Sequence, residues 1–165
     1  RIAGPDDEEV PRGIVGEVLS RFEKAGFKIV AAKMVQPDYE HYYEHYEGIG
    51  TLKTRKGDDI FESQLKNMQQ GPVIAMVLEG VDAVETVRKM VGATEPKSAQ
   101  PGTIRGDYAH VSYDQANASG RSVSNVLHAS ADADEAAQEI AHWFSESELH
   151  EYQTVHEQFT QPRKK

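Results

Sequence analysis

Two chemistries can be read from the reactive side chains of this sequence. The first lies in His41-Tyr-Tyr-Glu-His45, an H-x-x-E-H pattern known from zinc proteases. Histidines four residues apart share one face of a helix, where both can reach one metal ion. A zinc site needs a third protein ligand, and the pattern stops at two. The second chemistry starts at His128, in SNVLHASAD. This histidine follows an apolar pair and precedes small residues and a helix start. It is expected at the edge of a cleft, beside backbone N–H groups that favour anions such as phosphate. Glu139, eleven residues on, falls in the next helix. From there it can hydrogen-bond one imidazole nitrogen, fix the tautomer and leave the other nitrogen as a nucleophile. A surface histidine in a loop fits the same spacing, because His–Glu pairs at arbitrary separation are common.

Groups that hold phosphate are also present. Arg88 sits in VRKMVGATEP, Thr94 just past the expected end of that helix, and Arg105 in PGTIRGD. Arginine presents a planar fork of donors that matches phosphate oxygens two at a time. Two ordinary surface arginines are the plainer reading. Arg105-Gly-Asp107 also matches a cell-adhesion tripeptide, which carries little weight in a chain with no expected secretion signal.

The whole chain bounds these options. Its 165 residues suit a single domain, 1–165, with 160–165 as a mobile tail. It is 38% hydrophobic and 27% charged, an ordinary balance for a soluble protein. No apolar run approaches the ~18 residues of a membrane span. RIAGPDDEEV is acidic and lacks the apolar stretch of a signal peptide. With no cysteine, disulfides, thiolate metal sites and cysteine nucleophiles are excluded, which fits a cytoplasmic enzyme. A net charge of −9 argues against a nucleic-acid binder, and no membrane partner is expected. A phosphorylated small ligand needs only a few well-placed cations.

Elements must position these groups. Ile14, Val18 and Phe22, with Val15 and Leu19 beside them, form the apolar stripe of a helix, started by Pro11 and capped by Gly26. FKIVAAKMV reads as a buried strand. PDYEHYYEHYEG reads as a helix, GIGTLKTRKGDD as a polar basic loop, and IFESQLKNMQQ as a helix with Phe61, Leu65 and Met68 on its apolar side. GPVIAMVLEG is the clearest strand, and VDAVETVRKMVG the next helix. ATEPKSAQPGTIRGD reads as a long loop, YAHVSY as a short strand, and DQANASGRSVS as flexible. VLHASADADEAAQEIAHWF reads as a strand end, a turn and a helix opened by Asp132 and Glu135 in a capping box. Alternating strands and helices give an α/β or α+β class.

RGIVGEVLSRFEKAGFKIVAAKMVQP, GPVIAMVLEG, VRKMVGATEP, PGTIRGD and NVLHAS…EIAHWF, in this order, resemble the nucleoside diphosphate kinase family from Val10 to about Leu149. The resemblance implies an α+β ferredoxin-like βαββαβ sandwich, with an antiparallel sheet covered by helices. It implies transfer of the γ-phosphate of a nucleoside triphosphate to a nucleoside diphosphate, by a ping-pong route through a phosphohistidine. His128 matches the nucleophile, Glu139 the carboxylate that orients it, and Ser130 the hydroxyl beside them. Arg88, Thr94 and Arg105 match the phosphate-binding set, and Asn125 the amide on sugar and phosphates. Phe61 and Leu65 match the apolar clamp on the base. The His-Tyr pair of the family falls on His45-Tyr46, which makes Tyr46 a wall of the phosphate pocket. Mg2+ is expected on the nucleotide's phosphates. The implied partners are ATP and other nucleoside di- and triphosphates, with a homo-oligomer, hexamer or tetramer, as the assembly.

The sequence departs from this pattern in places. The family opens with an apolar strand ending in Lys-Pro-Asp, and no such strand is evident here. Counting back from Arg12 puts Asp6 at the lysine, and Pro5-Asp6 is preceded by Gly4, so no residue takes the lysine's role. Either the strand lies outside this sequence or an altered N-terminus replaces it. This motivates an alternative, a nucleotide-binding relative with impaired catalysis. A zinc hydrolase on His41 and His45 is the third reading. The loops 48–59 and 113–123 are longer than the family's. Ala129 and Ala131 replace its glycine after the histidine and its aspartate after the serine.

Overall fold

The computed structural model describes residues 2–4 and 12–160. The fold is built on β3 (Val73–Glu79), whose residues are apolar almost throughout. Such a run suits a strand buried on both faces, and successive side chains of β3 feed two different cores. Met76 and Leu78 join one cluster with Val18, Phe22, Val87, Val91 and Ile104. Val73, Ala75 and Val77 join the other with Tyr42, Phe61, Leu65, Met68 and Trp143. The first cluster packs helices α1 (Val15–Lys24) and α5 (Ala83–Val91) on one face of the sheet. The second packs α2 (Tyr39–Tyr43), α4 (Asp58–Met68) and α8 (Ala133–Trp143) on the other. Fully burying each Phe or Leu side chain of these clusters contributes about 1.5–3 kcal/mol.

β2 (Lys28–Val35) pairs antiparallel with β3, with a register irregularity between Ile29 and Ala31. On the other side of β3 lies β1 (Ile2–Gly4), also antiparallel, with Ile2 opposite Leu78 and Gly4 opposite Met76. The order among the described residues is β1-β3-β2. The architecture is the α+β, ferredoxin-like one, with helices covering an antiparallel sheet. The expectation that no first strand is evident is thereby corrected. Three residues ending in glycine carry no strand signal of their own, and the free edge of β3 makes them one. Pro5-Asp6 and Pro11 lie outside the described residues, as does the expected tail beyond Thr160.

Other expectations shift locally. YAHVSY is not a strand. Its first residue ends α6 (Ile104–Tyr108) and its last begins α7 (Tyr113–Ala118). The polar loops 48–59 and 113–123 hold helical turns, α3 (Leu52–Lys56) and α7. The stretch before His128 is irregular rather than the end of a strand. After α2 the chain widens into a π-helix, Glu44–Ile49, which contains His45 and Tyr46. Such wide turns are rare and often found at functional sites. α9 (Glu157–Thr160) is the last element.

Candidate active site

The loop bearing His128 is held in an unusual shape. Val126 has φ 77°, in the left-handed region that β-branched residues avoid. The Leu127 N–H donates to the Asn125 carbonyl at 3.0 Å, closing a γ-turn around Val126. The positive-φ form of this turn is rare and strained, at about 1–3 kcal/mol. Arg105 holds it from both sides. Its Nε donates to the Asn125 carbonyl at 3.1 Å and its Nη2 to the Leu127 carbonyl at 2.6 Å. Its Nη1 donates to the Gly92 carbonyl at 3.1 Å, tying in the end of α5. Val126 is itself fully buried in the first core, so the turn is anchored by packing as well. The PGTIRGD sequence makes Arg105 available here. Thr103 caps α6 by accepting the Gly106 N–H at 3.1 Å, and a Cβ on Gly106 would overlap the carbonyl of Gln100. Only glycine fits at that position.

Beyond the turn, His128 Nε2 lies 2.7 Å from Glu139 Oε1. The Ser130 hydroxyl donates to the other oxygen of Glu139. Both Ser130 and Glu139 are buried, while His128 is about a quarter exposed at 23%. An ionised carboxylate only accepts, so the proton of the neutral imidazole sits on Nε2 and the lone pair on Nδ1. Behind this pair stands His45, whose ring is 5.0 Å from that of His128 and perpendicular to it. The indole Nε1–H of Trp143 donates to His45 Nδ1 at 3.2 Å. Burial, with His128, His142 and His41 nearby, pushes His45 well below the ordinary imidazole range. A neutral His45 therefore backs Glu139 without competing for its charge.

The N-terminus of α8 does not face an anion as expected. Asp132 accepts the N–H groups of Asp134 and Glu135 at 3.0 and 2.9 Å. Glu135 reaches back to the Ala131 N–H at 2.5 Å, one residue beyond the N-cap that a capping box would engage. These donors are spent within the chain.

A cavity of about 300 Å3 opens in front of His128. Tyr46, Arg88, Thr94, Arg105, Asn125 and His128 all line it. Arg88 also touches the loop, with Nη1 at 3.4 Å from the Ala129 and Ser130 carbonyls. Asn125 donates to the Thr94 carbonyl at 3.1 Å, joining two walls. Glu139 and Ser130 stand one layer behind. Phe61 and Leu65 are not brought to the cavity. Both are buried in the second core, where Phe61 meets Tyr43 edge to face. Gln64 of the same helix lines the cavity instead, and Ile60, one turn earlier, is 51% exposed. Sequence reasoning missed both, although α4's buried stripe at Phe61, Leu65 and Met68 already implied that another face points outward. Of the basic residues in loop 48–59, Lys53 lies over the Tyr43 and Phe61 rings and pairs with Asp58 at 3.4 Å.

The family profile described as nucleoside diphosphate kinase matches residues 5–149 of this chain. The chain belongs to the nucleoside diphosphate kinase family. A nucleoside diphosphate kinase from Borreliella burgdorferi is 44% identical over 151 residues, 92% of this chain and 89% of that protein. One from Pyrococcus furiosus is 45% identical over 145 residues, covering 88% and 82%. The fold matches a solved transition-state mimic of the Borrelia burgdorferi enzyme with bound vanadate and ADP. The TM-score is 0.91 at 40% identity, over 97% of this chain and 96% of that one. A Halobacterium salinarum nucleoside diphosphate kinase in complex with CDP matches with a TM-score of 0.79 at 32% identity, over 96% and 95%.

In this nucleoside diphosphate kinase family member the two histidines of H-x-x-E-H part company. His45 turns inward to the site, and His41 stacks on His142, with ring centroids 3.9 Å apart, and meets Trp143 edge-on. Ligand-type atoms of His45, His128 and Glu139 lie within 4.8 Å of one another. His45 Nδ1 takes the Trp143 N–H, and the Glu139 oxygens take His128 and Ser130. A metal in this group would compete with the His128–Glu139 hydrogen bond.

His41 has a consequence for stability. Burial pushes it down from the ordinary 6.5 to about 4, with His142 and Lys33 adding to the shift and Asp38 opposing it. The unfolded chain therefore binds more protons than the fold between pH 6.5 and 4. Stability is fully present above pH 6.5 and is lost as pH falls toward 4; His45 acts in the same direction. Thermal denaturation should show Tm falling between pH 7 and 5. A His41→Phe variant, which keeps the stack and removes the buried Nε2, should show a shallower fall.

Proposed function

We propose that this chain transfers the γ-phosphate of a nucleoside triphosphate to a nucleoside diphosphate through a phosphohistidine on Nδ1 of His128. The observation that carries this reading is the 2.7 Å contact of His128 Nε2 with buried Glu139, beside a cavity that Arg88, Thr94 and Arg105 line. Nδ1 attacks the γ-phosphorus. The N–P bond forms, the bond to the β-phosphate oxygen breaks, and the nucleoside diphosphate leaves with that electron pair. No proton need leave the ring, because Nε2–H stays on Glu139, whose charge offsets the positive charge that develops on the imidazole. An acceptor diphosphate then attacks the phosphohistidine by the reverse path. Arg88 and Arg105 bear on the phosphate charge that spreads in the loose transition state, and Tyr46 closes one side.

Magnesium belongs to the substrate in this scheme. The cavity offers two arginines and one carboxylate, Glu135, among its lining residues. That set suits an ion carried in by phosphates and water better than one held by the protein. The bound ADP and CDP of the two solved relatives support nucleotides as substrates. We further place Ile60 and Gln64 at the base, in the role expected of Phe61 and Leu65. The assembly we propose is a homo-oligomer, hexamer or tetramer. In its support, β2 is an edge strand among the described residues, with Met34 61% exposed. A cytoplasmic location fits a chain without cysteine, in which no described helix is long and apolar enough to cross a membrane.

The impaired-relative alternative rests on the missing lysine, since Lys24 is the first lysine of the chain. The intact His128–Glu139–Ser130 set favours the enzyme. Incubation with ATP labelled in the γ-phosphate should label His128 with acid-labile phosphate, and unlabelled GDP or CDP should discharge it as triphosphate. Nucleotide affinity without labelling would support the alternative instead. Glu139→Gln should keep an acceptor for Nε2–H but lose its charge. Charge-assisted hydrogen bonds are roughly twice as strong as neutral ones. A difference of about 1.4 kcal/mol gives about a tenfold lower kcat, with KM for the acceptor little changed in steady-state assays.

A further inference from the structure

A clamp that only stacks on the base does not read base edges. The cavity that Arg88, Thr94 and Arg105 line is not otherwise apolar, because Gln64 also lines it. α4 is fixed in rotation by Phe61, Leu65 and Met68, all fully buried. That leaves Ile60 and Gln64, four residues apart, on one outward face. Ser63 Oγ lies 3.2 Å from Ser122 Oγ, so this helix is also fastened to the segment leading into Asn125. Arg88, Thr94, Arg105 and His128 line the same cavity as Gln64, so in the proposed reaction the phosphates lie at His128 and the nucleoside reaches toward α4. The amide of Gln64 lines the cavity and has no hydrogen-bond partner among the described residues.

We propose that Gln64 makes nucleotide use base-dependent, by hydrogen-bonding the edge of the nucleobase while Ile60 packs on its face. An amide presents a donor and an acceptor side by side, the pattern with which Gln pairs adenine in other settings. Bases differ in how they present such edges, so the contact discriminates among them. The inference rests on the proposed function, because it needs the phosphates at His128. The contact is made in both ground and transition states, so it acts mainly on KM.

The test compares ADP, GDP, CDP and UDP as acceptors for wild type, Gln64→Leu and Gln64→Asn, with phosphoenzyme formation from ATP measured alongside. In wild type, kcat/KM should differ between the best and worst base by about fivefold, the scale of one hydrogen bond. Gln64→Leu should narrow that spread to within about twofold, through KM, and raise the ATP concentration needed to form the phosphohistidine without abolishing it at saturating ATP. Gln64→Asn, which keeps the amide but shortens its reach, should change the ranking of the bases rather than erase it. A spread that is the same in wild type and Gln64→Leu, with phosphoenzyme forming normally, overturns the role of Gln64 and leaves the kinase reading standing. Absence of phosphoenzyme in wild type overturns both.

Discussion

Replacing His128 by alanine should remove phosphotransfer while nucleotide binding survives. The expected fall in kcat is on the order of 10^4-fold or more, the scale at which loss of a covalent nucleophile is felt. The acid-labile phosphoenzyme should disappear. Geometry separates this loss from misfolding. His128 is a loop residue whose side chain is 23% exposed, and the turn before it is held by Arg105 and by Val126 in the core. Glu139 would keep Ser130 as a donor, so the buried carboxylate is not left unpaired. Loss of a hydrogen bond to a charged group costs about 1.5–3 kcal/mol, which lowers Tm by several degrees without unfolding the chain. Fluorescence or calorimetric titration with ADP should therefore still report binding, since Arg88, Thr94 and Asn125 are untouched. Persistent acid-labile labelling of His128→Ala would place the nucleophile elsewhere and sink the mechanism.

The pairing of His128 with Glu139 was legible because a resemblance rests on residue types in order, and both stand in recognisable surroundings. The cavity-facing side of α4 was not. The resemblance matches Phe61 and Leu65 to a base clamp, yet apolar residues four apart on a helix are the core stripe first. The pocket took the neighbouring face, where Gln64 is polar and gives no pattern to read. Arg105 was read as a phosphate ligand. It lines the cavity and also donates to three backbone carbonyls, a task visible only once the chain has closed around it. His45 was hidden for a different reason. The α-helical rule places His41 and His45 on one face, and the chain enters a π-helix at Glu44 that rotates His45 toward Glu139. β1 was missed because three residues cannot announce a strand, and it exists through its pairing with β3.

Arg105→Lys should cost on the order of 10^2-fold in rate, and for a structural reason. The guanidinium spans the Asn125 and Leu127 carbonyls on either side of Val126, and the Gly92 carbonyl on α5. An ammonium keeps the charge but is a point with rotating donors, and it cannot hold carbonyls from two segments in one plane. Arg105 is buried, so an unmet carbonyl there finds little water. Two lost bonds of this kind, at about 1.5 kcal/mol each, come to about 3 kcal/mol. For a chain of this size that is a fall in Tm of about 6–12 °C. The strain at Val126 gives the variant somewhere to go. With the bracket gone, the turn can relax to negative φ, which moves the attachment of His128 relative to Glu139. Misplacement by about 1 Å costs on the order of 10^2-fold in rate. Kinetics at 20 °C, well below the lowered Tm, should show kcat reduced by that factor while circular dichroism reports a folded protein. A variant with unchanged kcat and Tm would mean that packing of Val126 alone fixes the turn, and that the three bonds from Arg105 are incidental.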